Sequence, residues 1–309
     1  YLPKPNPDDD SAENSSRYNS YVERANFVGF TSSTLDGMLG MIYRNDATYE
    51  LQQSIEYLKD NVNGGGITLD QMTRGLASNI LQTGRFGLLT DYPQADEGLT
   101  EAQVNDLKLR ANILPYRSES IINWQTAVIG GVKMLSMVVL EEMFEERSED
   151  GFTFEEKTYH RVLSLEEGFY TQALYDENDE MIAYSEPRNF KGTRWKEIPF
   201  TFVGAQNNDE VIDKAPLYDL SEINIAHHRN SADYEESSFM VGQPTPYVTG
   251  LTQSGVDQNM KSGVIIGSRR FLLLNEGANA GLIQADPNQM PERGMELKEQ
   301  QMVKIGARI

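Results

Sequence analysis

Residues 217–245 read LYDLSEINIAHHRNSADYEESSFMVGQPT, and their apolar residues recur with the period of a helix. The face that this period defines carries Leu217, Leu220, Ile223, Ala226 or His227, Asn230 and Tyr234. Asp219 and Glu222 lie near the N-terminal end, where the helix dipole favours acidic side chains. Because Pro216 precedes the pattern and Gly242 follows it, one long helix is predicted between them.

A second helix is predicted over residues 291–308. Pro291 suits the first turn of a helix. The apolar stripe of this helix consists of Leu297, Met302 and Ile305. The residues between the two helices show two strand-like segments and one short helical segment, at 246–251, 263–274 and 254–261. The order helix, compact insertion, helix indicates that the insertion lies at the tip of a helical hairpin.

The part of the chain that precedes this hairpin divides into a helical and a β-rich region. Residues 1–17 are polar and rich in Pro, Asp and Ser, which is typical of an extended arm. Residues 18–44 have the pattern of two short helices, and Thr68 is placed to cap a third. A strand is predicted at residues 85–92, and the alternating segments within residues 113–203 predict a meandering antiparallel sheet.

The chain is strongly acidic. It has 309 residues, of which 47 are Asp or Glu and 27 are Lys or Arg, so that its formal net charge is −20. Such a protein repels nucleic acid on average, and the sequence shows no basic stripe of the kind that specific duplex binding uses. If the protein meets DNA, we expect a surface past which the DNA slides.

Composition excludes several classes of site. The sequence contains no cysteine, which excludes disulfides, thiolate metal sites and cysteine nucleophiles. Its most apolar run, residues 128–140, is interrupted by Gly130, Gly131 and Lys133 and falls short of a membrane span of ~18 residues. No signal peptide is recognisable. Because the chain starts at Tyr1 rather than Met and stops within a helical pattern, we expect both ends to continue in the full protein.

The signals for catalytic or metal chemistry are weak. His227 and His228 are adjacent on the predicted helix, so their side chains diverge by about 100°, which favours an interface or core role over metal binding. Residues 64–66 (GGG) are followed by Ile67 and Thr68 instead of the Lys-Ser/Thr pair of a phosphate-binding loop, which favours a hinge. We therefore assign no catalytic, cofactor-binding or metal-binding residue and expect no enzymatic activity.

Six stretches resemble, in order, the portal proteins of short-tailed bacteriophages. They are residues 84–93 (GRFGLLTDYP), 119–124 (ESIINW), 198–200 (IPF), 203–205 (VGA), 217–245 and 301–308 (QMVKIGAR). None of them is a chemical motif, but the ordered set is specific, and residues 217–245 form its strongest part. Together they extend over most of the chain after residue 20.

The resemblance implies an α+β portal fold with a wing, a stem, a clip and a crown. The implied parts are an extended N-terminal arm at 1–17, a wing at 18–212 (helical over 18–112, β-rich over 113–212), a first stem helix at 217–241, a small αβ clip at 242–285 and a second stem helix at 291–309. In the family a tunnel loop, a further wing helix and the C-terminal crown follow, and these are absent from this chain.

The resemblance also implies a function. A portal is a non-enzymatic dodecameric ring at one capsid vertex, through which double-stranded DNA is packaged and ejected without sequence specificity. The implied partners are the large terminase subunit, then head-to-tail adaptor proteins, and the major capsid protein and scaffold, with no membrane and no cofactor. The implied location is the virion, and the host cytoplasm during assembly. The alternatives are an acidic hydrolase, such as a tail-associated polysaccharide-degrading enzyme, and a virion structural protein without a channel.

Two groups of residues are candidates for these roles. Glu292, Glu296 and Glu299 share one face of the second stem helix, at spacings of four and three, with Lys298 beside them. This face either meets the channel or a neighbouring subunit, or it is a solvated outer face. The candidates in the clip, for contacts with terminase, adaptor or DNA, are Gln243, Lys261, Arg269 and Arg270. Salt bridges to surrounding acidic groups explain the two arginines equally well.

Overall fold

The computed structural model consists of two compact units. It describes residues 1–4, 6–93, 103, 106, 109–148, 151–189, 192–242, 245–254, 256–257, 276–283 and 289–307. The first unit combines Tyr1–Phe30 with Leu220–Arg308, and the second contains Thr31–Asp219. The first unit is therefore built from two segments that are far apart in the sequence.

The helices of the described chain lie close to the predicted ones. They are α1 (Ala12–Arg24), α2 (Phe30–Ile42), α3 (Leu69–Thr83), α4 (Tyr218–Gly242) and α5 (Met290–Gly306), with short 3-10 helices at Gln53–Lys59 and Ser118–Ser120. The predicted cap of α3 is present. Thr68 Oγ1 accepts a hydrogen bond from the Gln71 amide at 3.2 Å, and the Gln71 side chain accepts one from the Thr68 amide at 3.0 Å. These reciprocal bonds form a capping box.

The N-terminal segment differs from the prediction. Helix α1 begins at Ala12, within residues 1–17, which were predicted to be extended. Ser11 caps it by accepting a hydrogen bond from the Asn14 amide at 3.2 Å, and the buried Asn14 side chain donates to two main-chain oxygens upstream. The polar composition is therefore explained by capping and main-chain anchoring, for which Ser and Asn are well suited.

The strands of the described residues form three antiparallel sheets. They are β1 (Arg85–Asp91), β2 (Asn112–Arg117), β3 (Ile121–Ile129), β4 (Val132–Arg147), β5 (Phe154–Glu166), β6 (Phe169–Tyr175), β7 (Met181–Ser185), β8 (Phe200–Gly204), β9 (Thr245–Thr249) and β10 (Asn279–Ile283). The sheet orders are β2-β1-β8, β3-β4-β5-β6-β7 and β10-β9. The predicted meander is correct for the five central strands.

The prediction of one sheet over residues 113–203 is wrong at its ends. Strands β2 and β8 flank β1 in a separate sheet. The register pairs residues that are distant in sequence, such as Phe86 and Val203. Alternation along a strand shows which face is buried but not which strand lies beside it.

The core of the second unit lies between its two larger sheets. The buried cluster consists of Leu89, Tyr116, Ile121, Val138, Leu140, Leu163, Tyr170, Ile198, Phe200 and Phe202. These residues come from β1, β2 and β8 on one side and from the five-stranded sheet on the other. The sheets therefore stabilise each other through a shared apolar layer.

In the first unit, α1 packs along α4. The Tyr21 hydroxyl donates to Asp233 at 2.8 Å, and Arg24 forms an ion pair with Glu236. Leu2, Tyr21 and Ala232 form a small buried cluster beside these contacts. Helix α1, which extends into the predicted wing, thus packs against α4, the predicted first stem helix.

Candidate functional site

Helices α4 and α5 form an antiparallel pair. A Cβ added at Gly294 would lie 2.2 Å from Asn230 Nδ2, so the missing side chain permits this close approach. About one turn away, Nε2 of the buried His227 lies 3.2 Å from Glu299 Oε1. The residue nearer the start of α4 thus contacts the residue nearer the end of α5. The two contacts run in opposite senses along α4 and α5, and the placement of the insertion at the tip of a hairpin stays a prediction.

The three candidate glutamates lie on one exposed side of α5. Glu292 and Glu296 are exposed, and Glu299 keeps 49% of its side chain accessible while it contacts His227. Met302 lies on the packed side of the same helix and is 2% exposed. The structure therefore brings these acidic side chains together as a continuous surface, which we call the α5 acidic face (Glu292, Glu296 and Glu299).

Lys298 lies apart from this face. It is half-buried, and its Nζ is 3.9 Å from the position that a Cβ at Gly294 would take. Its ammonium group is thus directed along the side of α5 that approaches α4. The α5 acidic face is consequently more negative toward solvent than the sequence of the helix suggests.

The two adjacent histidines have different neighbours. The His227 ring packs edge-on against Phe30, with 5.7 Å between centroids. His228 packs against Phe27 at 5.3 Å, and its Nδ1 lies 3.2 Å from the carbonyl oxygen of Asn26. Their side chains diverge, as adjacent helical positions require. Within the described residues, no three His, Asp or Glu side chains are placed to hold a metal ion.

The candidate clip residues lie outside the described part of the chain. These are Gln243, Lys261, Arg269 and Arg270, together with the strand predicted at 263–274. The neighbouring strand predicted at 246–251 is present as β9, which pairs antiparallel with β10. Strand β10 was not predicted. Leu282 and Ile283 of β10 are more than half exposed.

A buried ionic cluster joins the two larger sheets. Arg161 of β5 binds both carboxylate oxygens of Glu142, at 2.7 and 2.9 Å, and lies 3.8 Å from Asp91. Tyr116 donates its hydroxyl proton to the same carboxylate. Burial and then Glu142 raise the pKa of Tyr116. Burial lowers the pKa of Arg161, but the hydrogen bonds and charge of Glu142, together with the charges of Tyr116 and Asp91, outweigh burial and raise it. Only the pairing of distant strands assembles this cluster, so no local sequence pattern marks it.

The carboxylates of a cleft in the second unit do not resemble a catalytic pair. This cleft, of about 310 Å³, lies between the start of β4 and β8, and its lining includes Asp209 and Glu210. Glu210 forms an ion pair with Lys133, whose hydrogen bond lowers the pKa of Glu210. A general acid needs a raised pKa. The site therefore gives the hydrolase alternative no support.

In the part of the chain that the structure describes, no helix combines the length and the hydropathy needed to span a bilayer.

A family model described only as a domain of unknown function, DUF4055, matches residues 216–309. The match begins just before α4 and contains β9, β10 and α5. The segment that this family shares is therefore the helix, insertion, helix segment. A comparison with curated protein sequences gives no match.

Several solved structures are similar to this chain at low sequence identity. The virion of the native gene transfer agent particle matches with a TM-score of 0.43 and 13% identity, over 94% of this chain and 66% of that one. The neck of the empty particle, computed with C6 symmetry, matches with a TM-score of 0.45 and 12% identity, over 93% and 67%. The neck of the native particle, computed with C12 symmetry, matches with a TM-score of 0.44 and 13% identity, over 90% and 65%. This chain thus spans about two thirds of the length of each.

Proposed function

We propose that this chain is a portal subunit, one of the copies that form a dodecameric ring at a capsid vertex for the packaging and ejection of double-stranded DNA. The observation that carries the proposal is the antiparallel pair α4 and α5, between which the paired strands β9 and β10 lie in sequence. This is the stem, clip, stem order of the portals that residues 217–245 resemble. The same segment presents the α5 acidic face to its surroundings.

The charge of the chain suits a conduit for DNA. In a cyclic ring each acidic group is repeated once per subunit, and the chain carries a net charge of −20. Acidic groups that face the lumen repel phosphates, so the DNA does not adhere and can slide. The α5 acidic face is the proposed lumen-facing surface.

The portal in this proposal performs no chemistry. Energy for packaging comes from the large terminase subunit, which docks at the clip and is later replaced by head-to-tail adaptor proteins. Gln243, Lys261, Arg269 and Arg270 are the proposed contacts there. The major capsid protein and the scaffold surround the ring in the virion, after assembly in the host cytoplasm.

Electron microscopy of the purified protein, combined with its mass by light scattering, tests the ring. We expect annular particles with a central hole and a mass near twelve subunits. Rings with a different number of subunits would support a channel but change the proposed stoichiometry. A compact monomer or dimer would overturn the proposal if the full-length protein gives the same result.

Neutralising the α5 acidic face is expected to slow DNA passage. The triple variant Glu292→Gln, Glu296→Gln, Glu299→Gln removes three charges per subunit while an amide at 299 can still contact His227. Phosphate repulsion weakens around the whole ring, so we expect the rate of DNA exit to fall on the order of tenfold. Single-particle ejection assays measure this rate.

A matched control separates a local effect from a change of total charge. The variant Glu13→Gln, Glu23→Gln, Glu50→Gln changes three exposed carboxylates elsewhere in the chain and is expected to leave the rate unchanged. If the α5 variant packages and ejects DNA at the normal rate, the α5 acidic face does not meet the channel and is a solvated outer face.

A further inference from the structure

The outer parts of β4 and β5 project beyond the neighbouring strands. In the described structure β3 pairs with β4 as far as Leu140, and β6 pairs with β5 from His160 onward. Beyond these points, residues 141–147 and 154–159 pair with each other. Glu142 binds Tyr116 of the neighbouring sheet and Tyr159 is buried, so we call only the outer segments, residues 143–147 and 154–158, the β4–β5 arm. A two-stranded ribbon is only marginally stable in water. The arm therefore needs support from a surface outside its own sheet.

One face of the arm is both apolar and acidic. Residues opposite each other in the register share a face, which places Met143 beside the pairs Glu145–Glu156 and Arg147–Phe154. Met143 is 70% exposed and Phe154 is 64% exposed. Large apolar side chains that stay exposed beside charged ones are typical of a contact surface.

The arm also holds like charges against each other. Glu145 lies opposite Glu156 and Glu146 lies opposite Glu155, an arrangement that destabilises a ribbon. Lys157 pairs with Glu146 at 2.5 Å and relieves the second pair. In the sequence, residues 141–156 contain eight carboxylates and one arginine. A cationic surface that covers the arm would relieve the remaining repulsion.

Such a surface exists on the same chain. The described residues 188–189 and 192–196 contain three cations, Arg188, Arg194 and Lys196, and no carboxylate, and we call them the basic loop. The loop follows β7, the edge strand of the five-stranded sheet. Arg188 keeps 53% of its side chain exposed, Lys196 is exposed and Trp195 is 44% exposed. The basic loop thus combines positive charge with an apolar ring.

The edge strand extends this complementary surface. Met181, Ile182 and Tyr184 of β7 are each about half exposed. Glu186 already pairs with Arg188 and Arg194, at 3.3 and 3.0 Å. Because a guanidinium group carries five N–H donors, both arginines can accept a second carboxylate as partner.

We propose that the β4–β5 arm of one subunit docks on the basic loop and β7 of the next subunit. The occupant is a second copy of this chain, because the opposite charges and exposed apolar residues of the two surfaces complement each other. The two surfaces differ, so the contact is heterologous, and a heterologous contact closes into a ring when its rotation permits. The inference rests on the proposed portal function and adds the surfaces that would join its subunits.

Charge reversal tests the contact. The arm variant is Glu145→Lys with Glu156→Lys, and the loop variant is Arg188→Glu with Lys196→Glu. Each is expected to raise the protein concentration for half-maximal ring assembly by at least about tenfold, because it places like charges together. The combined variant restores opposite charges and is expected to return within about threefold of the unmodified chain. Sedimentation velocity measures assembly, and circular dichroism confirms that each variant is folded.

Two further variants make the result specific. Glu13→Lys with Glu23→Lys makes the same charge change on exposed positions of α1 and is expected to leave assembly unchanged. The chain has no cysteine, so Met143→Cys with Tyr184→Cys introduces its only thiols. Mild oxidation of that variant is expected to give a ladder of disulfide-linked subunits, whereas Met143→Cys alone yields dimers at most.

The outcomes separate the two proposals. If both reversal variants still form rings and the double-cysteine variant gives no ladder, the docking is overturned and the portal function stands. The docking is also overturned if the reversal variants lose assembly, the combined variant does not recover it, and the double-cysteine variant gives no ladder. If the unmodified chain forms no ring at any concentration and the double-cysteine variant gives no ladder, the portal proposal and the docking fall together.

Discussion

Replacing Glu142 with alanine is expected to lower the free energy of unfolding by about 3–5 kcal/mol. The carboxylate is 11% exposed and binds Arg161 through both oxygens. Its removal leaves the Arg161 guanidinium in a low-dielectric environment with Asp91 as the nearest described carboxylate, 3.8 Å away. The Tyr116 hydroxyl loses its acceptor as well. Urea unfolding followed by circular dichroism measures the change.

A double variant shows whether the loss of stability in Glu142→Ala comes from the unpaired charge of Arg161. Glu142→Leu with Arg161→Met removes both ions and replaces them with apolar side chains of similar length. Because an apolar replacement of a buried ion pair is often close to neutral, we expect the double variant to recover most of the stability that Glu142→Ala loses. Glu145→Ala, on the exposed arm, is expected to change stability by less than ~0.5 kcal/mol. Equal losses for Glu142→Ala and Glu145→Ala would show that the ionic cluster does not hold the sheets together.

Replacing Gly84 with alanine is expected to cost about 3 kcal/mol. Gly84 ends α3 with a φ of +77°, a conformation in which a Cβ costs ~1–2 kcal/mol. The Cβ would also lie 2.3 Å from the carbonyl oxygen of Asp213 and 3.1 Å from the amide nitrogen of Ala215. Because both neighbours are backbone atoms, relief requires a shift of the chain, which adds ~1–3 kcal/mol. Thermal and urea unfolding report the loss.

A second glycine of the same helix provides a control substitution that is expected to raise the stability instead of lowering it. Gly75 lies inside α3, and a Cβ added there meets no atom within 4 Å. Gly75→Ala is therefore expected to stabilise the protein by ~0.5–1 kcal/mol, because alanine loses less backbone entropy in a helix. If Gly84→Ala were neutral, the turn from α3 into β1 would have to be more adaptable than its contacts indicate.

Local features could be predicted because neighbouring residues determine them. The Thr68 cap, the long helix α4, the helix α5 after Pro291 and the strands β6 and β7 all follow from short-range patterns. The α5 acidic face also follows, because the spacing of its three glutamates places them on one side of any helix. The resemblance to portals added the domain names, which stay predictions together with their boundaries, the ring and its partners.

The features that sequence analysis missed depend on residues far apart in the chain. Helix α1 is the exception, because local contacts form it: the polar composition of residues 1–17 predicts an extended arm, but Ser11 caps the helix and Asn14 anchors it. Strands β2 and β8 join β1 because of packing across the core. The charge runs at 141–156 and 188–196 were visible, but their placement on a projecting arm and beside an edge strand was not.

By itself the sequence determined the helix and strand pattern, the charge of −20, the absence of cysteine and the order helix, insertion, helix. These properties depend on composition or on residues within a few positions of each other. Only the tertiary structure decided which strands are neighbours, how Arg161 meets Glu142, and how closely α4 approaches α5 at Gly294. Such contacts form where burial of apolar surface outweighs the entropy of bringing distant segments together, and that balance belongs to the whole fold.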